Sequence, residues 1–261
     1  MKRTKITPNA SAFPEELLPI LSAGEAYDSS CSPEARVIYI DGDGGYFIKS
    51  APAGALKSEA QMDAYFHRKG LGAEVLLYLQ NENRDWLVTR RVSGEDLTHE
   101  SYLAQPRRLA VMLGERLRAL HEERAEDCPV KDRMTPYFSL AETNYLAGVC
   151  DPSFFCGFGE TDAERIYRIV DDNRQFFKND TLLHGDYCLP NVLCKDWEFS
   201  GFIDLGNGGV GDRHVDLFWG AWTLCFNLGT DRYRSVFFDA YGRDRIEPDA
   251  LRVIAAAECF G

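Results

Sequence analysis

Asp186, Asn191 and Asp204 are the residues whose types and spacing point most directly to chemistry. They lie in Leu182 to Leu217 (LLHGDYCLPNVLCKDWEFSGFIDLGNGGVGDRHVDL), the densest run of polar side chains beside apolar strands. Asn191 comes five residues after Asp186, and Asp204-Leu205-Gly206 follows two short apolar stretches, Val192 to Cys194 and Phe199 to Ile203. Those stretches read as a hairpin. A hairpin returns its outer ends to one place, so the three side chains are expected to converge. Phosphoryl transfer needs such a set: a carboxylate to orient the attacking hydroxyl, and two oxygen donors to hold Mg²⁺ on the phosphates. An Asp, an Asn five residues on, then Asp-x-Gly beyond a hairpin is the order of a kinase catalytic cluster. Each piece alone could be a cap or a plain turn; in register they point to a kinase.

The elements that must position these groups can be read upstream. Glu34 to Ile40 and Gly45 to Lys49 are rich in β-branched and aromatic residues, and Asp41-Gly42-Asp43-Gly44 between them is hairpin turn chemistry. Leu56 to Phe66 carries apolar residues at helical spacing, and Ala73 to Leu79 with Asp85 to Arg91 reads as a second strand pair. Lys49 ends a strand and Glu59 lies on the helix after it. An ion pair between them would hold the ammonium against a nucleotide's phosphates. No G-x-G-x-x-G is present, so Tyr27 to Ser32 (YDSSCS) is the expected phosphate loop, through backbone N–H groups and the Ser30 or Ser32 hydroxyl. Beyond Ser93-Gly94 the pattern turns helical. Arg107 to Glu122 has an apolar stripe through Leu109, Leu113, Leu117 and Leu120, and Thr161 to Phe177 and Asp249 to Phe260 also read as helices. The expected fold is α+β and two-lobed: a small β-rich lobe over 1–94 with one inserted helix, then a larger helical lobe over 95–261.

With these residues in hand, the chain closely resembles the aminoglycoside 3′-phosphotransferases, the neomycin and kanamycin kinases. The strongest stretches are HGDYCLPNVL at 184–193 and FSGFIDLGNGGVGDR at 199–213. GALKSEAQMDAYF at 54–66, DWLVTRRVSGEDL at 85–97 and LHEERAEDCPV at 120–130 fall into register as well. The resemblance implies the protein-kinase-like fold, ATP or GTP with Mg²⁺, and transfer to a hydroxyl of a small molecule. It implies Asp186 as base, His184 as an organiser of the catalytic loop, Asn191 and Asp204 as metal ligands, and Lys49 with Glu59 as the phosphate-binding pair. Ser32 would lie in the nucleotide loop, the adenine edge would meet the Arg90 carbonyl and the Val92 amide, and Asp216 would brace the catalytic loop.

On the acceptor side the chain departs from the resemblance, which implies carboxylates clustered from three regions around a polycationic substrate. An acidic run is replaced by Ser153-Phe154-Phe155-Cys156-Gly157-Phe158. Trp222, Thr223 and Phe226 stand at usually charged positions of the helix after Asp-x-Gly, and Asn207 where an arginine is common. The end reads Ala257-Glu258-Cys259-Phe260-Gly261, with Glu258 retained. Glu258, Phe260, Asp151, Glu160 and Trp222 are therefore the candidate acceptor residues. A hydrogen bond to a charged group contributes about 1.5–3 kcal/mol, so three lost ones would weaken binding by about 4–9 kcal/mol. Two alternatives stand beside the aminoglycoside kinase: a kinase of a less cationic hydroxylated metabolite or other antibiotic, and a catalytically silent nucleotide-binding module.

Composition narrows the partners. The 261 residues carry 41 acidic against 29 basic side chains, a net charge of −12, which argues against nucleic acid as a partner. No apolar run approaches the ~20 residues that span a bilayer, and no apolar core of signal length follows the basic MKRTKITPNASAF, so the expectation is a cytoplasmic protein with no membrane partner. The eight cysteines show no Cys-x-x-Cys and no zinc spacing, which favours free thiols. A monomer or weak dimer is the expected state.

Overall fold

The computed structural model describes residues 3–31 and 33–261, of Cys156 the backbone alone. The chain divides into two compact units, Met1–Gly94 with Ser200–Gly206, and Glu95–Phe199 with Asn207–Gly261. A single cut after Gly94 is thus not the whole division: the short segment carrying Asp204 belongs with the first unit.

The first unit runs β1 (Thr4–Ile6), α1 (Leu18–Leu21), β2 (Glu25–Asp28), β3 (Arg36–Asp41), β4 (Tyr46–Pro52), α2 (Lys57–Arg68), β5 (Val75–Gln80) and β6 (Arg84–Arg90). The strands form one antiparallel sheet in the order β1-β2-β3-β4-β6-β5. Both expected strand pairs and the helix between them are present. β1 and β2 were not expected, because three and four residues of mixed polarity are too short to show alternation. Side chains alternate across a pleated sheet. Ile38, Ile40, Tyr46, Ile48, Trp86 and Val88 make one core with Leu17 and Ala26. On the other face Ala51 and Leu87 pack against Leu56 and Ala60 at the start of α2. Lys49 lies two residues before Ala51 and opposite Leu87, so it shares the face that α2 covers.

The second unit holds β7 (Glu95–Asp96), α3 (Glu100–Leu103), α4 (Pro106–His121), α5 (Met134–Leu146), α6 (Ala163–Asn173), β8 (Thr181–Leu183) and β9 (Val192–Lys195). The chain passes into the first unit through β10 (Glu198–Phe202). It returns with β11 (Gly209–Gly211), α7 (His214–Leu228), α8 (Arg234–Tyr241) and α9 (Pro248–Glu258). The helix expected over Thr161 to Phe177 is shorter, since Asp162 caps α6 by accepting from the Arg165 N–H and a 3₁₀ turn over Arg174–Phe176 ends the run. α7 is apolar on most of its circumference, as a buried helix is, so it has no amphipathic stripe to read. α4 crosses α8 at Gly114, where a Cβ would come within 2.5 Å of the Phe237 carbonyl oxygen. The main core joins Met134, Phe138, Ile166, Val170, Ile254 and Phe260.

Candidate active site

In the second unit, β8 pairs antiparallel with β11 and delivers the chain into the loop His184–Asn191. Gly185 opens that loop at φ 84°, with the Asn207 carbonyl packed so closely that a Cβ would lie 1.9 Å from its oxygen. Only glycine fits such an approach. Asp216, wholly buried on α7, accepts from the His184 N–H and the Gly185 N–H, each at 2.8 Å. His121 adds Nε2 at 3.1 Å from the same carboxylate, while its Nδ1 meets the Tyr241 hydroxyl at 2.9 Å. Burial lowers the His121 pKa despite the carboxylate beside it, which keeps the ring neutral, donating through Nε2 and accepting at Nδ1. Three donors thus converge on one buried acceptor, and they fix the turn that precedes Asp186.

Further bonds hold the rest of the loop. The Tyr187 hydroxyl donates to the Leu113 carbonyl, the Leu189 N–H to the Thr223 hydroxyl, and the Leu97 N–H to the Leu189 and Val192 carbonyls. Asn191 closes it by donating its amide to the Asp186 carbonyl at 3.0 Å and to Asp186 Oδ2 at 2.9 Å. With the NH₂ group spent on Asp186, the Asn191 side-chain oxygen is left as the acceptor end of that amide.

Asp186 lines a cavity of about 390 Å³. Arg133, Tyr137, Asn207, Trp219 and Glu258 complete its polar wall. Glu258 is 7% exposed and accepts from the Tyr137 hydroxyl at 2.7 Å and from Trp219 Nε1 at 3.0 Å. Burial, with the Asp186 charge adding to it, pushes the Glu258 carboxyl up to about 7 against those two donors. Arg133, which sequence reasoning missed, brings its guanidinium to Asn207, with Nε 2.9 Å from the backbone oxygen and a terminal nitrogen 3.2 Å from Oδ1. The cavity therefore holds an arginine although position 207 does not supply one. A hint lay in the glycines of GNGGVG: a Cβ at Gly209 or Gly211 would press on the Arg133 side chain.

The other acceptor candidates fall elsewhere. Phe260 is wholly buried, edge-on to Tyr145 and Tyr167, so it is core rather than cavity wall. Asp151 accepts from the Ser153 N–H, and Glu160 accepts from the Thr161 and Asp162 N–H groups, which commits both to local turns. Thr223 is buried on α7 against the His184–Asn191 loop, where its hydroxyl accepts from the Leu189 N–H. Trp222 stacks on Phe226 with ring centroids 4.9 Å apart, meets Trp219 at 5.4 Å, and has Phe154 at 5.8 Å. Trp219, Trp222 and Phe226 thus make an aromatic ladder along one face of α7. It starts at the Asp186 cavity and ends at Phe226, which is 70% exposed.

The first unit holds a second cluster. Lys49 Nζ lies 2.7 Å from Glu59 Oε1 and 3.0 Å from Asp204 Oδ1. Burial works against the ammonium, yet the Asp204 and Glu59 carboxylates together raise its pKa above the ordinary lysine value. Burial raises the Glu59 carboxyl, with Lys49 opposing. Asp63, one turn further along α2 and also missed in the sequence, is buried beside this pair, and burial with the Glu59 charge raises its carboxyl well above its usual value. Asp204 sits at φ 57°, a left-handed conformation that Asp tolerates better than most side chains. The Arg90 N–H donates to the Glu74 carbonyl, and its guanidinium pairs with Glu74, so the side chain is spent at the sheet edge. Val92 packs on Gly201, where a Cβ would come 3.0 Å from its methyl. The Ser30 hydroxyl accepts from the Val37 N–H at 3.0 Å and so shapes the turn rather than facing a ligand; Ser32 lies outside the described residues.

The Asn191 amide oxygen and the Asp204 carboxylate are each hard oxygen donors, the chemistry that Mg²⁺ prefers. Among the described residues no group of three or more His, Cys, Asp and Glu side chains forms a metal cage, and seven cysteines are free thiols. No helix among them is long and apolar enough to cross a membrane.

Comparison with known proteins gives the geometry its family. A probable aminoglycoside 3′-phosphotransferase of Lactococcus lactis subsp. lactis (strain IL1403) is 46% identical over 253 residues, 97% of this chain and 97% of that one. An aminoglycoside 3′-phosphotransferase of Niallia circulans is 27% identical, covering 92% of this chain and 94% of its own. The crystal structure of an aminoglycoside-3′-phosphotransferase of type VIII superposes with a TM-score of 0.72 at 25% identity, over 94% of this chain and 97% of that one. Residues 32–254 match the phosphotransferase enzyme family, APH. The chain belongs to that family: it is a phosphotransferase of protein-kinase-like fold, an enzyme that moves phosphate onto a hydroxyl group.

Proposed function

We propose that the chain is an ATP- and Mg²⁺-dependent kinase of aminoglycoside 3′-phosphotransferase type that works in the cytoplasm. The observation that carries this reading is the Asp186–Asn191 loop, held by Asp216 and open to a 390 Å³ cavity with Glu258 on its wall. In the proposed reaction an acceptor hydroxyl enters the cavity and hydrogen-bonds to Asp186. Its oxygen bonds to the γ-phosphorus, the bond from that phosphorus to the ADP oxygen breaks, and the hydroxyl proton passes to the Asp186 carboxylate. Asn191 and Asp204 would hold the metal, whose chemistry there would be to offset phosphate charge. Lys49, kept charged by Glu59, serves the phosphates. The backbone at Arg90 and Val92 takes the adenine edge, with Ser32 in the phosphate loop. The silent-module alternative loses ground because none of these groups is replaced.

The acceptor side is proposed to be poorer in carboxylates than the resemblance implies. Glu258 and Asp186 face the cavity, whereas Asp151 and Glu160 are used in turns. The aromatic ladder favours an acceptor that presents sugar or aromatic rings with fewer charges, since stacking on Trp and Phe supplies contact without pairing ammonium groups. Kanamycin-like acceptors would leave ammonium groups short of partners. Steady-state kinetics with kanamycin, neomycin and an uncharged hydroxylated series test this. The expected Michaelis constant for kanamycin is about 100 μM or weaker. A micromolar constant with turnover of several per second would overturn the depleted-pocket reading while leaving the kinase reading intact, and no turnover with any acceptor would sink both.

A further inference from the structure

A second cavity, of about 270 Å³, lies in the second unit against α4 and the turn after β9, and shares no lining residue with the Asp186 cavity. Leu97, Met112, Leu113, Val192, Trp197 and Phe199 make its wall apolar, and Arg116 is its one cation. The Arg116 guanidinium carbon sits 4.4 Å from the Phe199 ring centroid. Its Nε is shut off from solvent, and no group among the described residues accepts from it. The neighbouring arginines of α4 are engaged differently: Arg118 pairs with Glu122, and Arg108 covers the face of Trp197 at 4.2 Å. Glu115, the one carboxylate on the wall, is exposed and makes no ion pair with Arg116. Trp197 is held at φ 71°, in a turn where glycine or asparagine is preferred, and it is braced edge-on by Tyr102 at 4.9 Å.

An arginine cannot shed its charge, and a buried guanidinium N–H without an acceptor is costly. A bound acceptor would remove that cost. The planar fork of donors suits a carboxylate, and the aliphatic wall suits an apolar body. In a chain of net charge −12 an anion is repelled at long range, so binding must come from this local cation and from apolar burial. The geometry points to a binding site for a small apolar carboxylate, about one aromatic ring in size, seated on Arg116 and Phe199.

Titration calorimetry of the full chain with benzoate, benzamide and benzylamine tests the assignment. Benzoate is expected to bind saturably, with benzamide and benzylamine weaker by about 10-fold or more. Arg116→Met should reduce benzoate affinity by a similar factor, and Arg116→Lys should restore part of it. Ala119→Phe adds bulk at an exposed lining position and keeps the cation, so it should weaken binding while Arg133 in the Asp186 cavity is untouched. Thermal midpoints establish that each variant is folded, and if Arg116→Met is not, Ala119→Phe decides. Equal binding of benzoate and benzamide, benzoate binding unchanged in Ala119→Phe, or no saturable benzoate binding by the wild type would each overturn the site.

Discussion

Lys49 Nζ lies 3.0 Å from Asp204 Oδ1, a contact between residues 155 positions apart. It makes Asp204 a partner of the lysine as well as a proposed metal ligand, so metal and lysine draw on one carboxylate. Titrating ATP with and without Mg²⁺ on wild type and Asp204→Ala is expected to show tight binding only for wild type with Mg²⁺. Lys49→Met should weaken nucleotide binding by about 10-fold or more, the scale of losing a charge-assisted hydrogen bond. Equal binding in all conditions would remove the proposed nucleotide site.

Asp186→Asn is expected to leave nucleotide affinity nearly unchanged. Turnover should fall by about 10²–10⁴, the scale for losing a positioned base. The Asn191 amide already bonds Asp186 Oδ2, and an asparagine at 186 can still accept that bond, so the loop should keep its shape. Retention of more than about a third of wild-type turnover would show that another group takes the proton.

Glu258 is expected to link acceptor binding to pH. Its carboxyl is raised from 4.5 to about 7 in the fold, so between those values the folded protein holds a proton that the unfolded chain has released. The stability tied to neutral Glu258 is therefore present at low pH and lost as pH rises from 4.5 through about 7. Glu258→Gln should remove this loss, and its melting temperature should gain on wild type between pH 5 and pH 8. A cationic acceptor needs the charged form, so its Michaelis constant on wild type should fall as pH rises through about 7 and stay flat in Glu258→Gln. Parallel profiles for the two proteins would disprove the linkage.

Asp216 accepts from two loop N–H groups and faces His121, and Asp216, His184 and His121 are all buried. Asp216→Ala would strand three donors, each costing about 1–3 kcal/mol, and the variant is expected to lose about 3–5 kcal/mol of stability. Asp216→Asn keeps an acceptor and should lose less. Urea unfolding measures both, and an alanine variant within about 1 kcal/mol of wild type would mean that water replaces the carboxylate.

Charge returned to the aromatic ladder should change acceptor preference. Phe226→Glu is exposed enough to fold and places a carboxylate at the outer end of the ladder. The kanamycin Michaelis constant should drop by about 3- to 10-fold, with little change for an uncharged acceptor. No change for either would show that the ladder lies off the acceptor path.

The sequence by itself determined the parts that rest on local chemistry. Asp186 with Asn191, Lys49 with Glu59, the strand pairs around α2 and the stripe of α4 were all legible, because spacing and periodicity act over a few residues. Short polar strands such as β1 and β2 were not, nor was α7, which is apolar nearly all round and so shows no periodicity. Long-range packing decided the rest. Phe260 reads like a cavity residue at the end of its helix, yet it goes into the core because Tyr145 and Tyr167 offer it an apolar slot. Arg133 is an ordinary basic residue in the sequence, and only folding sets it against Asn207 to share the cavity of Asp186. Glu258 could be picked out by position, but its proton affinity comes from burial beneath Tyr137 and Trp219, and burial is a property of the assembled fold.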